Sequence, residues 1–112
     1  MRGPGRRRAA PEERRDDAAA LFAAVAALRD AGEAERFLAD LLTPAETGAL
    51  AERWRIATLL DAGGLSYRDI AAATGASTTT VARVARFLKE EPHQGYRLVL
   101  DRMKKAAAKR SG

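Results

Sequence analysis

The sequence predicts an all-α protein of about six helices, in a chain of 112 residues that fits a single domain. Three observations support this prediction. No segment alternates apolar and polar residues with the period of two that is typical of a half-buried strand. Large apolar residues recur instead at spacings of three and four, which is the period of a helix face. Capping residues, prolines and glycines separate these stretches from one another.

The first two helices are predicted to precede residue 43. From about Pro11 to Ala31, a stripe of Leu21, Val25 and Leu28 indicates a helix with one apolar face. We expect the Ala31–Gly32 step to end this helix, because glycine is a poor helix former. A short second helix is then marked by four large apolar residues: Phe37, Leu38, Leu41 and Leu42.

The third helix has a clear start signal. Thr43 can cap it, Pro44 suits the first helical position, and Glu46 stands where a capping box needs an acid. The helix is predicted to run to about Asp61, and the glycine pair that begins at Gly63 stops it.

Two short helices joined by a tight turn predict a helix-turn-helix over about residues 65–89. Ser66 can cap the first helix, and small Ala71 lets the second helix cross closely. Gly75 lies at the break, where a left-handed backbone is easiest for glycine. The second helix is expected over about 78–89, and Ser77 can cap it. One buried row is predicted to join the two helices: Ile70, Val81, Val84 and Leu88.

A last helix is predicted over about 96–108, after a loop at 90–95. The chain is therefore divided into a disordered basic tail at 1–11, a helical domain at 12–104 and a basic C-terminal tail at 105–112.

The net charge of +5 is unevenly distributed. Residues 1–8 carry +4 and residues 102–112 carry +5, whereas the body between them carries 11 bases and 15 acids. The helix-turn-helix is the basic part of that body, with four bases and one acid over 66–89. The tails are either solvated ends or phosphate contacts, and phosphate contacts strengthen DNA binding without reading sequence.

The predicted solvent face of the second motif helix is typical of a recognition helix. Small hydroxyl and methyl groups near its start suit base edges and phosphates, and arginines further along can pair with guanine. The alternative is a plain helical hairpin within a bundle. The predicted DNA contacts on this helix are Ser77, Thr78, Thr79, Ala82, Arg83 and Arg86.

Several classes of function are excluded by composition. The chain has no cysteine, a single histidine at His93 in a polar loop, no glycine-rich phosphate loop and no 18-residue apolar run. We therefore expect neither an enzyme nor a metal or cofactor site, and a soluble cytoplasmic protein that does not span a membrane.

The apolar residues predict an oligomer. Alanine accounts for 26 of the 112 residues, so a monomer would have a thin core, and small chains often complete their core with a second copy. A helical dimer that binds another protein instead of DNA is the alternative function. The polar and cationic solvent face of the motif favours DNA, because a protein-docking helix more often exposes an apolar stripe.

The sequence resembles the Trp repressor family over about residues 12–104. The resemblance rests on Leu42–Glu46, Ala49–Leu50, Arg53, Arg55–Ile56 and the motif ending at Leu88–Lys89. The block GASTTTVARVARFLK, followed by Gly95–Leu100, is similar to the YerC/YecD branch of that family.

The resemblance implies an intertwined homodimer whose helices form one shared core. Two recognition helices would then lie about one DNA turn apart, ~34 Å, and read a palindromic operator. It also implies that Arg68 reaches DNA. By the same resemblance, Tyr96 and Arg97 are expected to pack on the neighbouring chain. Trp54 lies on the long third helix and is expected to pack in the core or the dimer interface.

The family's amino-acid pocket is only partly retained. Thr43, Arg53 and Arg83 match its residue types, although both arginines are equally suited to surface ion pairs or phosphate contacts. Val84 and Phe87 replace a glycine and a serine. We expect these two bulky side chains to fill the pocket, so that the protein either binds DNA without tryptophan or senses another molecule.

Overall fold

The computed structural model describes residues 10–111, and over that range the regular secondary structure is all α-helix, with no strand. This confirms the predicted fold class. The six helices are α1 (Pro11–Ala26), α2 (Ala31–Leu41), α3 (Pro44–Ala62), α4 (Tyr67–Thr74), α5 (Thr78–Lys89) and α6 (Gly95–Ser111). The arginines of the predicted N-terminal tail at 1–11 lie outside the described residues.

Three of the predicted helix starts are fixed by the expected side-chain caps. Thr43 Oγ1 accepts a hydrogen bond from the Glu46 amide at 3.1 Å, and Glu46 Oε1 accepts one from the Thr43 amide at 2.8 Å. Ser66 and Asp69 form the same reciprocal box at the start of α4. Ser77 caps α5, because its side chain accepts a hydrogen bond from the Thr80 amide in the first turn of the helix. The predicted caps at these three positions are confirmed.

The predicted end of the first helix is wrong. α1 stops at Ala26, and the Ala31–Gly32 step opens α2 instead of closing α1. The reason is Asp30, whose side chain accepts a hydrogen bond from the Glu33 amide at 2.9 Å. An N-cap of this kind stabilises a new helix start at the point where the glycine alone indicates only a break.

The described chain forms two compact units, one ending at Leu42 and the other beginning at Thr43. The predicted domain at 12–104 spans both. In the first unit, α1 and α2 contain no buried residue. Four of its large apolar side chains are exposed to solvent: Leu21, Phe22, Val25 and Leu41.

The second unit has a core of its own. Ile56 and Ala57 of α3 pack with Ile70 of α4 and with Val81 and Val84 of α5. Leu88 and Leu100 are also buried. Trp54 and Tyr96 stack beside this cluster, with ring centroids 6.4 Å apart. The predicted buried row of the helix-turn-helix is therefore confirmed, and it is anchored on α3.

An acidic side chain ties α6 to α3. Asp61, near the end of α3, accepts from Arg97 Nη2 at 2.8 Å and from Lys104 Nζ at 2.6 Å. These two hydrogen bonds hold the Asp61 pKa below its usual value. Arg97 also donates to Asp101 at 3.1 Å. Within the chain, Tyr96 stacks with Trp54 and Arg97 pairs with Asp61 and Asp101. The expected contacts of Tyr96 and Arg97 with a neighbouring chain stay a prediction.

α6 is longer than predicted. It runs to Ser111, so that residues 105–111 of the predicted C-terminal tail are helical. Every side chain described after Leu100 in this helix is exposed. The basic residues near the end of the chain therefore lie on a regular helix that extends to Ser111.

Candidate nucleic-acid interface

The turn between α4 and α5 is held from both sides. Gly75 has φ of 80° and ψ of 2°, the left-handed conformation that the sequence predicts, and its amide donates to the Ala71 carbonyl at 2.9 Å. Thr74 Oγ1 donates to the Ile70 carbonyl at 2.8 Å and accepts from the Ala76 amide at 3.3 Å. These bonds fix the angle at which α5 leaves the turn.

α5 has one buried side and one exposed side. Val81, Val84, Ala85 and Leu88 are buried against the core. The opposite side is exposed and carries the predicted DNA contacts: Thr78, Thr79, Ala82, Arg83 and Arg86. The helix periodicity places these residues together because they lie one, three or four positions apart.

The other two predicted DNA contacts, Ser77 and Arg68, precede α5 in the chain. Ser77 is exposed, and its hydroxyl is already engaged as the α5 cap, since it accepts from the Thr80 amide at 3.1 Å and donates to Thr80 Oγ1 at 3.1 Å. Arg68 is exposed on α4. Among the described residues, neither Arg68 nor Arg83 forms an ion pair, so their charges stay available to an anionic partner.

The two arginines of α5 converge on one aromatic ring. Arg83 Cζ lies 4.5 Å from the Phe87 ring centroid, and Arg86 Cζ lies 5.2 Å from it. Arg86 Nε is also 3.5 Å from Glu91 Oε2. Sequence reasoning missed this cluster, although the spacing of four between Arg83 and Phe87 is the signal that two side chains share a helix face.

A cavity of about 330 Å³ lies beside α5 in the second unit. Four of the five residues of the predicted effector pocket line it, namely Arg53, Arg83, Val84 and Phe87, and the remaining wall comes from residues 93–96. Thr43 does not line the cavity. Its hydroxyl caps α3 instead.

The two side chains expected to fill the pocket, Val84 and Phe87, both line this cavity. Val84 is buried in the core and Phe87 is half-buried on the cavity wall. The wall that sequence reasoning missed is the loop before α6, where Gln94 has a positive φ of 54° and donates to the Glu91 carbonyl at 2.7 Å. His93 in this loop is exposed, as predicted.

Two other kinds of feature are absent from the described range. No group of three or more His, Cys, Asp or Glu side chains there could hold a metal ion. None of the helices in that range is long and apolar enough to cross a membrane.

Comparison with known proteins decides the family. The family model described as Trp repressor protein matches residues 16–104. The chain belongs to the Trp repressor family. That family is of the helix-turn-helix, DNA-binding regulator type and is not an enzyme family. The resemblance inferred from the motif residues is confirmed.

Relatives of known sequence or structure agree with this membership. The chain is 38% identical over 91 residues to the uncharacterized protein YerC of Bacillus subtilis (strain 168), a match that covers 81% of this chain and 86% of YerC. A TrpR-like protein from Eubacterium eligens ATCC 27750 superimposes with a TM-score of 0.72 at 37% identity, covering 80% of this chain and 90% of that one. A proposed Trp repressor from Staphylococcus aureus gives 0.72 at 32% identity, with 86% and 96% covered.

Proposed function

We propose that the chain is a sequence-specific transcriptional regulator that represses genes by binding operator DNA as a homodimer. The observation that carries this proposal is the exposed side of α5. It presents hydroxyl and methyl groups near the start of the helix and two arginines further along, while the core and the caps fix the helix from behind. Arginine pairs with two acceptors of guanine, and threonine methyls contact thymine, so this surface can read bases in the major groove.

The apolar surface of the described chain supports the homodimer. Between residues 10 and 42 the first unit has no buried residue, and Phe22 is 67% exposed. Leu98, Val99 and Met103 of α6 are exposed as well. A second copy is the occupant that family membership implies, and it would cover such surface at no cost to the recognition face.

A homodimer sets the form of the operator. Two copies of α5 related by a two-fold axis would contact two half-sites about one turn apart, ~34 Å, so the operator is palindromic. The basic ends of the chain, including Arg102 and Lys105 on α6, add contacts to phosphates that are independent of sequence. A cytoplasmic location follows from a chromosomal target.

We infer that tryptophan is not the effector of this protein. Val84 and Phe87 occupy positions where the resemblance places small residues around the indole, and His93 and Gln94 line the remaining cavity. The protein would then hold its DNA-binding geometry without that amino acid. Calorimetric titration with tryptophan is expected to give no heat of binding, and binding with micromolar affinity would contradict this inference.

The central experiment measures binding to genomic DNA fragments at several salt concentrations. The test variant is Arg83→Ala/Arg86→Ala. The matched control, Arg102→Ala/Lys105→Ala, removes the same charge from exposed positions of α6. We expect the test variant to lose the preference for particular fragments, because base contacts specify. The control should keep the preference while its affinity becomes less dependent on salt.

Three results would decide against parts of this proposal. Wild-type protein that binds no fragment at low salt would exclude the regulator and leave the protein-interaction module. Binding without any preference among fragments would reduce the protein to a general DNA-binding protein. Equal loss of preference in both variants would show that α5 is not the reading element.

A further inference from the structure

Phe87 is the point where the two arginines of α5 meet. It lies four residues after Arg83 and next to Arg86, and both guanidinium carbons are within 5.2 Å of its ring centroid. Distances of this size are typical of cation–π contacts, in which the face of an aromatic ring attracts a cation. The ring is half-buried, so it is a fixed platform beside two exposed cations.

Arg86 has a second restraint. Its Nε lies 3.5 Å from Glu91 Oε2, in the turn that follows α5. The Arg86 side chain stays 53% exposed and that of Glu91 36% exposed. Arg86 is therefore held by a ring and a carboxylate, whereas Arg83 is held by the ring alone.

A stacked guanidinium can still bind DNA. The ring contacts the flat face of the group, whereas its five N–H donors point outward in the plane and can pair with guanine or phosphate. A flexible arginine loses rotamer freedom when it is immobilised in a complex, and that loss lowers affinity. An arginine that is already ordered on a ring loses less.

We propose that Phe87 is a positioning residue that orders Arg83 and Arg86 on the surface of α5 and presents their donors to DNA. This inference rests on the proposed function, since it assigns the two arginines to the DNA interface. In this role Phe87 contacts neither bases nor phosphates. It acts through the side chains stacked on it, and its aromatic face is the property that matters.

The first test is a pair of substitutions at this position. Phe87→Leu keeps an apolar side chain but removes the aromatic face, whereas Phe87→Tyr keeps the face. We expect Phe87→Leu to weaken operator binding by at least about fivefold, the lower limit expected from the entropy of ordering two arginine side chains. Phe87→Tyr should stay within about twofold of wild type. Equal affinities for wild type and Phe87→Leu would overturn the proposal.

A double-mutant cycle separates positioning from general support of the fold. Arg83→Ala is made both in the wild-type protein and in the Phe87→Leu variant, and operator affinity is measured for each. If the ring acts through Arg83, the arginine contributes less once the ring is gone, and the two losses are not additive. Additive losses would show that Phe87 supports only the helix and would overturn its role toward Arg83.

The third measurement needs no DNA. In the free protein, the side-chain protons of Arg83 and Arg86 should show upfield ring-current shifts by NMR, and Phe87→Leu should abolish them. If the wild-type protein bound DNA but lacked these shifts, the role of Phe87 would be overturned and the proposed function would stand. Protein with the shifts but without any DNA binding would overturn the proposed function, and with it the role of the stack.

Discussion

The two units of the chain differ in what they bury. α1 and α2 are well-formed helices without a buried residue, whereas α3 to α6 enclose eight buried apolar side chains, from Ile56 to Leu100. Alanine is abundant in both, so composition does not explain the difference. In the second unit, isoleucine and valine side chains of α3, α4 and α5 pack together in one buried cluster. No residue of α1 belongs to this cluster. The unit that carries α5 thus has a core of its own, whereas the first unit leaves large apolar side chains exposed, as the proposed dimer requires.

The strongest test of this difference between the units is to remove the exposed apolar side chains of the first unit. Phe22→Ser/Val25→Ser is expected to weaken dimerisation by at least roughly 1,000-fold, because each buried side chain contributes about 1.5–3 kcal/mol and each occurs twice in a dimer. Sedimentation over a range of protein concentrations measures this. The matched control is Leu65→Ser/Tyr67→Ser, two exposed positions of the second unit. An unchanged dimer in the first variant would show that α1 is not an interface.

A core substitution in the second unit should have the next largest effect. Ile70 is 0% exposed at the centre of the cluster, so Ile70→Ala is expected to lower the free energy of unfolding by about 2–5 kcal/mol. Thr79→Ala, on the exposed side of α5, should change it by no more than about 0.5 kcal/mol. Urea denaturation measures both. Similar values for the two variants would contradict a core centred on α4 and α5.

A glycine in the turn after α4 and a glycine inside α3 are expected to respond in opposite ways to substitution by alanine. Gly75 has a φ of +80°, and a Cβ at this position would meet open space, so Gly75→Ala is expected to cost about 1–2 kcal/mol from backbone conformation alone. Gly48 has the same open space but lies inside α3. Gly48→Ala should therefore stabilise the protein, by about 0.5–1 kcal/mol. Thermal unfolding measures both variants. If both substitutions shifted the melting temperature in the same direction, backbone conformation would not explain the difference between the two sites.

The smallest predicted effect concerns the tie between α3 and α6. The Asp61 pKa is lowered in the folded protein, so its contribution to stability is present above the pKa of the unfolded chain and is lost as pH falls through the folded value. Asp61→Asn should lower the melting temperature at neutral pH and converge with wild type in acid. Asp101→Asn, whose carboxylate is more exposed, should lower the melting temperature at neutral pH by less than Asp61→Asn does. A difference from wild type that is independent of pH would contradict the charge-based explanation.

Local features of this fold were predictable because their causes are local in sequence. The caps at Thr43, Ser66 and Ser77 each depend on a partner three residues away, and Gly75 marks its own turn. The boundary after α1 was missed because two local signals compete there. Asp30, as an N-cap, outweighs the break suggested by Gly32.

Features that join distant segments could not be derived in this way. Arg97 pairs with Asp61 across 36 positions, and no spacing rule connects them. The cavity wall at 93–96 meets α5 only through the packing of α6. The arginine stack on Phe87 is an intermediate case. Its spacing is visible in the sequence, but a shared helix face alone does not show that both cations turn toward one ring.

The placement of these surfaces on different helices has an evolutionary consequence. The residues buried beneath α5 all follow position 55, and the large exposed apolar residues of the proposed dimer surface lie on α1 and α6, outside α5. In the proposed dimer, pairing preference and operator preference would therefore be encoded in different stretches of the gene. After a duplication, substitutions in α1 or α6 would insulate one copy from the other while both keep the same operator, and substitutions on α5 would redirect a copy to new promoters without changing its partner.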